Sequence, residues 1–392
     1  MEKRFAIPSH PDIELGFNRN ELEYFITFPH KPVDSGTGLI MVISGFGDRA
    51  DSPYQKEKLR PYLADKYNCL AVGVNYFGIS VKSPRKGFNY ITDEHFPDNI
   101  QAAYGIEPGA YILSGVLKTD VLADMLKQRG IRRLDAVCRL VRTYLDGEYQ
   151  SFGFLPAIDC MTVVGDILKR NKIDKKKIMA FGSSYGGYIA LLLGKFAHKT
   201  FSLIVDNSGF INTSLANIAG KEFVSEESLL INGVAFPFVE DSPWTVIDET
   251  APNYFSDGHR SIRNLIAKEH MKETETSYYI FHSQQDQIIK IAEKDRLVDL
   301  LKSKSKHVYY KRVSSADIDG RLFKNLDHGM SASLRGIFDC AAGAEKNIMS
   351  KLSEETDFDL GSSYLFSCGR SFYKFRFGTD FGLTVESELN NY

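Results

Sequence analysis

Cysteine, tryptophan and unbroken apolar sequence are all scarce in this chain of 392 residues, which has five cysteines and one tryptophan. Cys69, Cys138, Cys160, Cys340 and Cys368 are odd in number and far apart, with no Cys-x-x-Cys pair and no local Cys/His cluster. That spacing argues against a disulfide-stapled scaffold or a zinc ribbon and leaves reduced, mostly core thiols. The longest apolar runs, such as Leu39 to Ile43, fall far short of a membrane span, and Met1 to Leu15 has no apolar signal core. A cytoplasmic protein without membrane contact is therefore expected. Excess charge is lacking too: 48 Lys and Arg against 50 Asp and Glu leave a net charge of -2. With no long basic run, nucleic acid is not an expected partner.

What is present is an ordinary globular composition, 43% hydrophobic and 25% charged, in a chain long enough to bury a large core. Short apolar runs alternate with helical patterns. Leu39 to Ile43 closes on Ser44-Gly45-Phe46-Gly47 and is followed by a helical segment, Tyr54 to Lys66, and a second run, Cys69 to Tyr76. The same rhythm returns at Ala157 to Asn171, Lys177 to Phe181, Tyr188 to Phe196 and Phe201 to Asp206. It ends with Ser277 to His282, Ile291 to Leu301 and His307 to Val313. Runs buried on both faces and separated by helices specify an α/β fold, with a mostly parallel central sheet flanked by helices.

Other segments break the rhythm. Arg4 to Phe28 reads as an antiparallel hairpin. Residues 83–151 read as an insertion with helical patterns at Tyr111 to Arg129 and Ile131 to Leu145, and 210–276 as a lid-like insertion without a regular strand. From Phe358 the pattern becomes a small antiparallel tail. The expected organisation is one domain over 1–350 and a β tail over 358–392.

The strand Lys177 to Phe181 runs through Gly182-Ser183-Ser184-Tyr185-Gly186-Gly187 into an apolar helix. This strand-Gly-x-Ser-x-Gly-helix order is a nucleophile elbow: a sharp turn raises the serine hydroxyl, and small residues two positions either side let strand and helix approach. Ser184 is the candidate nucleophile. A serine hydroxyl needs a base, and the base an acid to fix its tautomer. Asp286 follows the strand Ser277 to His282, and His328 follows the last core strand, giving the order Ser184, Asp286, His328 that accompanies such an elbow. Asp206 is a rival for the acid. The N–H of Tyr185, the residue after the nucleophile, is a candidate oxyanion donor.

The Gly182 to Tyr188 motif and this order resemble the α/β-hydrolase superfamily, and within it prolyl-oligopeptidase-like and dienelactone-hydrolase-like serine hydrolases. His282-Ser283-Gln284-Gln285-Asp286 is similar to the His-Gly-x-x-Asp context of their acid, with serine in place of glycine. The whole chain more faintly resembles a bacterial hydrolase-like family of unknown function. The resemblance implies a second oxyanion donor at Phe46, in a loop where Ser44 stands for a frequent histidine.

Gly45-Phe46-Gly47-Asp48-Arg49-Ala50 also fits a dinucleotide fingerprint, yet the next strand ends Val74-Asn75-Tyr76 without the carboxylate a ribose needs. No cofactor and no metal are expected. Arg49, Arg85 and Lys86 are either solvated or face an anionic substrate. The expected function is serine hydrolysis of a carboxylic ester or amide in a small-molecule or peptide substrate. Acyl transfer to a hydroxyl, such as that of a sugar, and non-catalytic ligand binding are the alternatives.

Overall fold

The computed structural model describes residues 1–79, 89–114, 116–144, 147–224, 228–344 and 348–389. Arg85 and Lys86 lie outside them. The chain divides into two compact units, one of 1–79, 151–213 and 257–392, the other of 80–150 and 214–256.

The first unit is built on an eight-stranded sheet. We number its strands β1 (Glu2–Ile7), β2 (Leu22–Thr27), β3 (Gly38–Ile43), β4 (Cys69–Asn75), β5 (Ile178–Ser183), β6 (Leu203–Asn207), β7 (Ser277–Ser283) and β8 (Val308–Val313). Their spatial order is β1-β2-β4-β3-β5-β6-β7-β8. The β1/β2 hairpin joins β4 antiparallel, and every pairing from β4 to β8 is parallel. This is the α/β-hydrolase fold.

Burial follows position in the sheet. Every residue of β3, β6 and β7 is buried, as strands covered on both faces require, while β8, at the edge, carries Lys311 and Arg312 and is half-exposed. One face packs Ile40, Val42, Met179, Phe181 and Phe281 against Leu59, Leu63, Ile337 and Phe338.

The helix Tyr185–Phe196 is buried along its whole length. A helix apolar all round needs a second cover. The tail supplies it as a three-stranded antiparallel sheet of Ser363–Cys368, Ser371–Phe377 and Leu383–Leu389. Phe375 stacks on Phe196 with ring centres 4.6 Å apart, and Tyr373 meets Phe154 edge-on at 5.1 Å. Phe375→Ala is expected to cost about 3–5 kcal/mol, the range for truncating a buried ring. An unchanged urea midpoint would show that the tail sheet adds nothing to this core.

The second unit holds a four-stranded sheet in the order Ser228–Ile231, Val234–Glu240, Leu140–Thr143, Asn89–Thr92. Helices Phe96–Tyr104 and Thr119–Gln128 pack Phe96, Ile100, Leu122 and Leu126 with Leu140 and Phe236. Two expectations are corrected here. The helical reading of Ile131 to Leu145 gives way to a strand, Leu140–Thr143, which pairs on both sides. The segment expected to lack strands contains a hairpin, turned at Asn232 (φ 48°) and Gly233 (φ 84°). Two consecutive positive φ values match the strand twist, and Asn-Gly adopts them at little cost.

Among the described residues no helix is long and apolar enough to cross a membrane, and no three His, Cys, Asp or Glu side chains are grouped to hold a metal.

Candidate active site

All five sequence-predicted site residues lie in the first unit, at the carboxyl ends of the parallel strands. β5 ends at Ser183 and the helix begins at Tyr185, so Ser184 alone makes the turn, at φ 56° and ψ -124°. This sparsely populated conformation persists only where the surroundings enforce it. A Cβ on Gly182 would stand 2.2 Å from the Gly186 carbonyl oxygen, and one on Gly186 would stand 2.2 Å from the Ile43 oxygen. Both glycines are therefore required by contact. The Ser184 N–H donates to the Asn207 carbonyl at 2.8 Å, and the Ser184 carbonyl accepts from Tyr188 N–H at 3.1 Å.

His328 follows β8 on a short turn in which Gly329 and Met330 have φ values of 74° and 57°. Met330 is wholly buried and anchors the turn. His328 Nε2 lies 2.7 Å from Ser184 Oγ, and Nδ1 lies 2.8 Å from Asp286 Oδ2. Asp286 Oδ1 accepts the N–H groups of Ile288 and Ile289 at 2.9 and 3.0 Å. Burial alone would raise the Asp286 pKa, but the hydrogen bonds from His328 and from Ile289 and Ile288 hold it below the usual carboxylate value. An ionised carboxylate only accepts, so Nδ1 carries the proton and Nε2 is left to accept from the serine hydroxyl.

Asp206, the rival acid, is engaged elsewhere. Its Oδ2 accepts from Lys294 Nζ at 2.8 Å and its Oδ1 from Gly209 N–H at 2.8 Å, with both ionic side chains fully buried. Lys294 also donates to the Gly209 carbonyl at 2.6 Å. Cβ atoms on Gly187 and Gly209 would stand 2.2 and 2.4 Å from Asp206 Oδ1. The pair thus braces the first turn of the elbow helix and the loop beyond β6.

The loop after β3 runs beside the nucleophile: a Cβ on Gly45 would lie 3.1 Å from the Ser183 oxygen and 3.7 Å from Ser184 Cβ. Phe46 stacks on the buried Tyr185 ring at 4.0 Å, which brings the two expected donor residues together. Phe210 stands 6.2 Å from Phe46 and 6.0 Å from the His328 ring, so half-exposed aromatic rings line one side of the site.

Several supporting residues are absent from the sequence-level expectation. Tyr76 Oη donates to the Ser44 carbonyl at 2.6 Å and fixes the loop before Phe46. Asn207 Nδ2 reaches Ser183 Oγ at 2.9 Å and the Gly329 carbonyl at 3.3 Å, tying the histidine turn to the elbow. His282, held to a pKa of about 4 chiefly by burial and then by Lys294, is neutral and donates from Nε2 to the Ile289 carbonyl at 2.9 Å. Of these, His282 carries a sequence signal, as the first residue of the His282 to Asp286 motif, whereas Tyr76 and Asn207 carry none.

Residues 3–384 match the profile of a family described as "Protein of unknown function (DUF2920)". No curated protein sequence matches the chain. Among solved structures, uncomplexed Pyrococcus horikoshii acylaminoacyl peptidase is 15% identical, with TM-score 0.44 over 92% of this chain and 43% of its own. Thermogutta terrifontis esterase 2 is 13% identical, with TM-score 0.42 over 90% of this chain and 96% of its own. Prolyl oligopeptidase B from Galerina marginata is 12% identical, with TM-score 0.44 over 81% of this chain and 34% of its own. The chain spans less than half the length of the acylaminoacyl peptidases it resembles.

Proposed function

We propose that this chain, which belongs to the DUF2920 family of proteins of unknown function, is a serine hydrolase that cleaves a carboxylic ester or amide through an acyl-enzyme. The observation that carries the reading is the continuous hydrogen-bonded chain from Ser184 Oγ through His328 to Asp286. Ser184 Oγ attacks the carbonyl carbon while its proton passes to His328 Nε2. The Asp286 carboxylate stabilises the imidazolium that forms. The developing oxyanion is met by the N–H groups of Tyr185, at the helix N-terminus, and Phe46. Collapse expels the leaving group, which takes the proton from Nε2. Water then gives a proton to His328 and attacks the acyl carbon, and collapse of that intermediate releases the acid and Ser184 Oγ, which takes the proton back from Nε2. The aromatic side formed by Phe46 and Phe210 favours an apolar group next to the scissile carbonyl.

Two expected results follow from this chemistry. With p-nitrophenyl acetate, the protein gives a burst of nitrophenol stoichiometric with enzyme, then steady release of free acetate that added glycerol does not divert. Acetylated glycerol in place of acetate would make the protein a transferase, and the absence of any turnover would leave a binding protein. Tyr76→Phe removes the hydroxyl that holds the Ser44 carbonyl. It is expected to lower kcat by roughly 10- to 100-fold with little change in KM, because misplacing a donor weakens only the transition state. An unchanged kcat would show that the loop is held without Tyr76.

A further inference from the structure

The amino ends of the same parallel strands, opposite the candidate active site, line a half-open cavity of about 740 Å³ within the first unit. Its walls come from the segments entering β6, β7 and β8 and from residues 351–360. Five lysines line it: Lys199, Lys302, Lys304, Lys306 and Lys351. Other exposed lysines of the unit are of both kinds: Lys66 meets Asp339 at 2.9 Å and Lys176 meets Glu354 at 3.0 Å, while Lys3, Lys172 and Lys290 have no carboxylate within 4.0 Å among the described residues, so it is the grouping of five such lysines around one space that sets the cavity apart. Among the described residues, none of the five cavity lysines has a carboxylate oxygen within 4.0 Å, although Glu273, Glu275 and Glu355 line the same space.

Lys351 is the built element of this site. It is only 5% exposed. Its Nζ donates to the backbone carbonyls of Glu355, at 2.6 Å, and of Lys199. Burial is the largest influence on it and pulls its pKa to about 8, against the opposing pull of Asp357, Glu275, Asp359 and Glu355. A buried ammonium held by neutral carbonyls alone is costly, and a bound anion would offset that cost. The hydroxyls of Thr274, Ser303 and Ser305 donate to the carbonyls of His198, Leu300 and Thr276 at 2.7, 2.7 and 2.6 Å, so the lysines are the wall's charged donors. His198, 4% exposed, has no hydrogen-bond partner for Nε2 among the described residues. Lys302 stands in the last turn of helix Ile291–Lys302, where the helix dipole favours a cation, but that explanation does not extend to the other four.

We propose that this cavity binds a small polyanion bearing two or more phosphate or carboxylate groups, with Lys351 at its floor and Lys199, Lys302, Lys304 and Lys306 around its rim. The volume suits a metabolite-sized ligand. The site is separate from the Ser184 chemistry and stands whether or not Ser184 is a nucleophile. Isothermal titration of the full chain with pyrophosphate and, separately, citrate in 0.15 M salt tests it. At least one anion is expected to bind saturably, one per chain, with Kd below about 1 mM. The rim variant Lys304→Glu/Lys306→Glu, at a half-buried and an exposed position, is expected to melt as the parent does without anion and to bind at least tenfold more weakly. Preference for pyrophosphate would identify a phosphorylated ligand and preference for citrate a carboxylated one. Failure of both anions to bind, or equal binding by the rim variant, would overturn the proposal.

Discussion

Ser184→Ala is expected to lower kcat for an activated ester on the order of 10⁴- to 10⁶-fold, the range seen when a serine nucleophile is removed from such a constellation. Stability should hardly change: alanine keeps the Cβ, and the backbone bonds from Ser184 N–H to Asn207 and from Tyr188 N–H to Ser184 remain. His328→Ala should cost nearly as much, and the double variant little more, because the two groups act as a unit. Asp286→Asn should cost about 10⁴-fold, since an amide in place of the carboxylate favours the wrong imidazole tautomer. Asp286 also contributes to folding. Its folded pKa lies below the unfolded value, so its stabilisation is present above the unfolded carboxylate range and is lost as pH falls through the folded pKa. Acid denaturation of the Asp286→Asn variant should accordingly depend less on pH in that window than the parent's. Independent losses that simply multiply across the three variants would contradict a shared proton relay.

Lys294→Met is expected to destabilise the fold through a buried charge. Asp206 and Lys294 are fully buried, and removing the ammonium leaves a carboxylate beneath the elbow with, among the described residues, only the Gly209 N–H as a partner. Breaking such a pair from one side costs about 3–5 kcal/mol. The loss should reach the site as well, because the brace supports Gly187 and the loop that runs from the end of β6 at Asn207 to Phe210. The double variant Asp206→Asn/Lys294→Met keeps an oxygen for Gly209 and removes the unpaired charge, so it should recover most of the loss. The check is the urea midpoint of the single and double variants. Equal destabilisation in both would mean that packing, and not the buried charge, sets the cost.

Much of this site is legible in the sequence because an elbow makes local demands. Only glycine fits at Gly182 and Gly186, and the strand that precedes Asp286, Ser277–Ser283, is a compact buried run with a clear end. The choice between Asp206 and Asp286 is not local. It turns on Lys294, 88 residues from Asp206 along the chain, which stands among the charged residues of helix Ile291–Lys302 with no sign of its buried partner. Tyr76 and Asn207 are hidden for the same reason: each acts on a carbonyl that only the folded sheet brings near. The hairpin in the second unit is different. Leu229 and Ile231, then Val234 and Phe236, alternate about Asn232-Gly233, a local signal that the reading of a strandless lid-like segment passes over. The strand Leu140–Thr143 has only four residues and draws its definition from Phe238 to Glu240, far along the chain, so helical spacing around it misleads.

The central claim is that Ser184 is an activated nucleophile, and intact mass after treatment with a fluorophosphonate tests it most directly. The account predicts one adduct per chain on the parent, mapped to Ser184, none on Ser184→Ala and strong loss on His328→Ala. Folded parent protein that takes no label, or label that persists in Ser184→Ala, would contradict it.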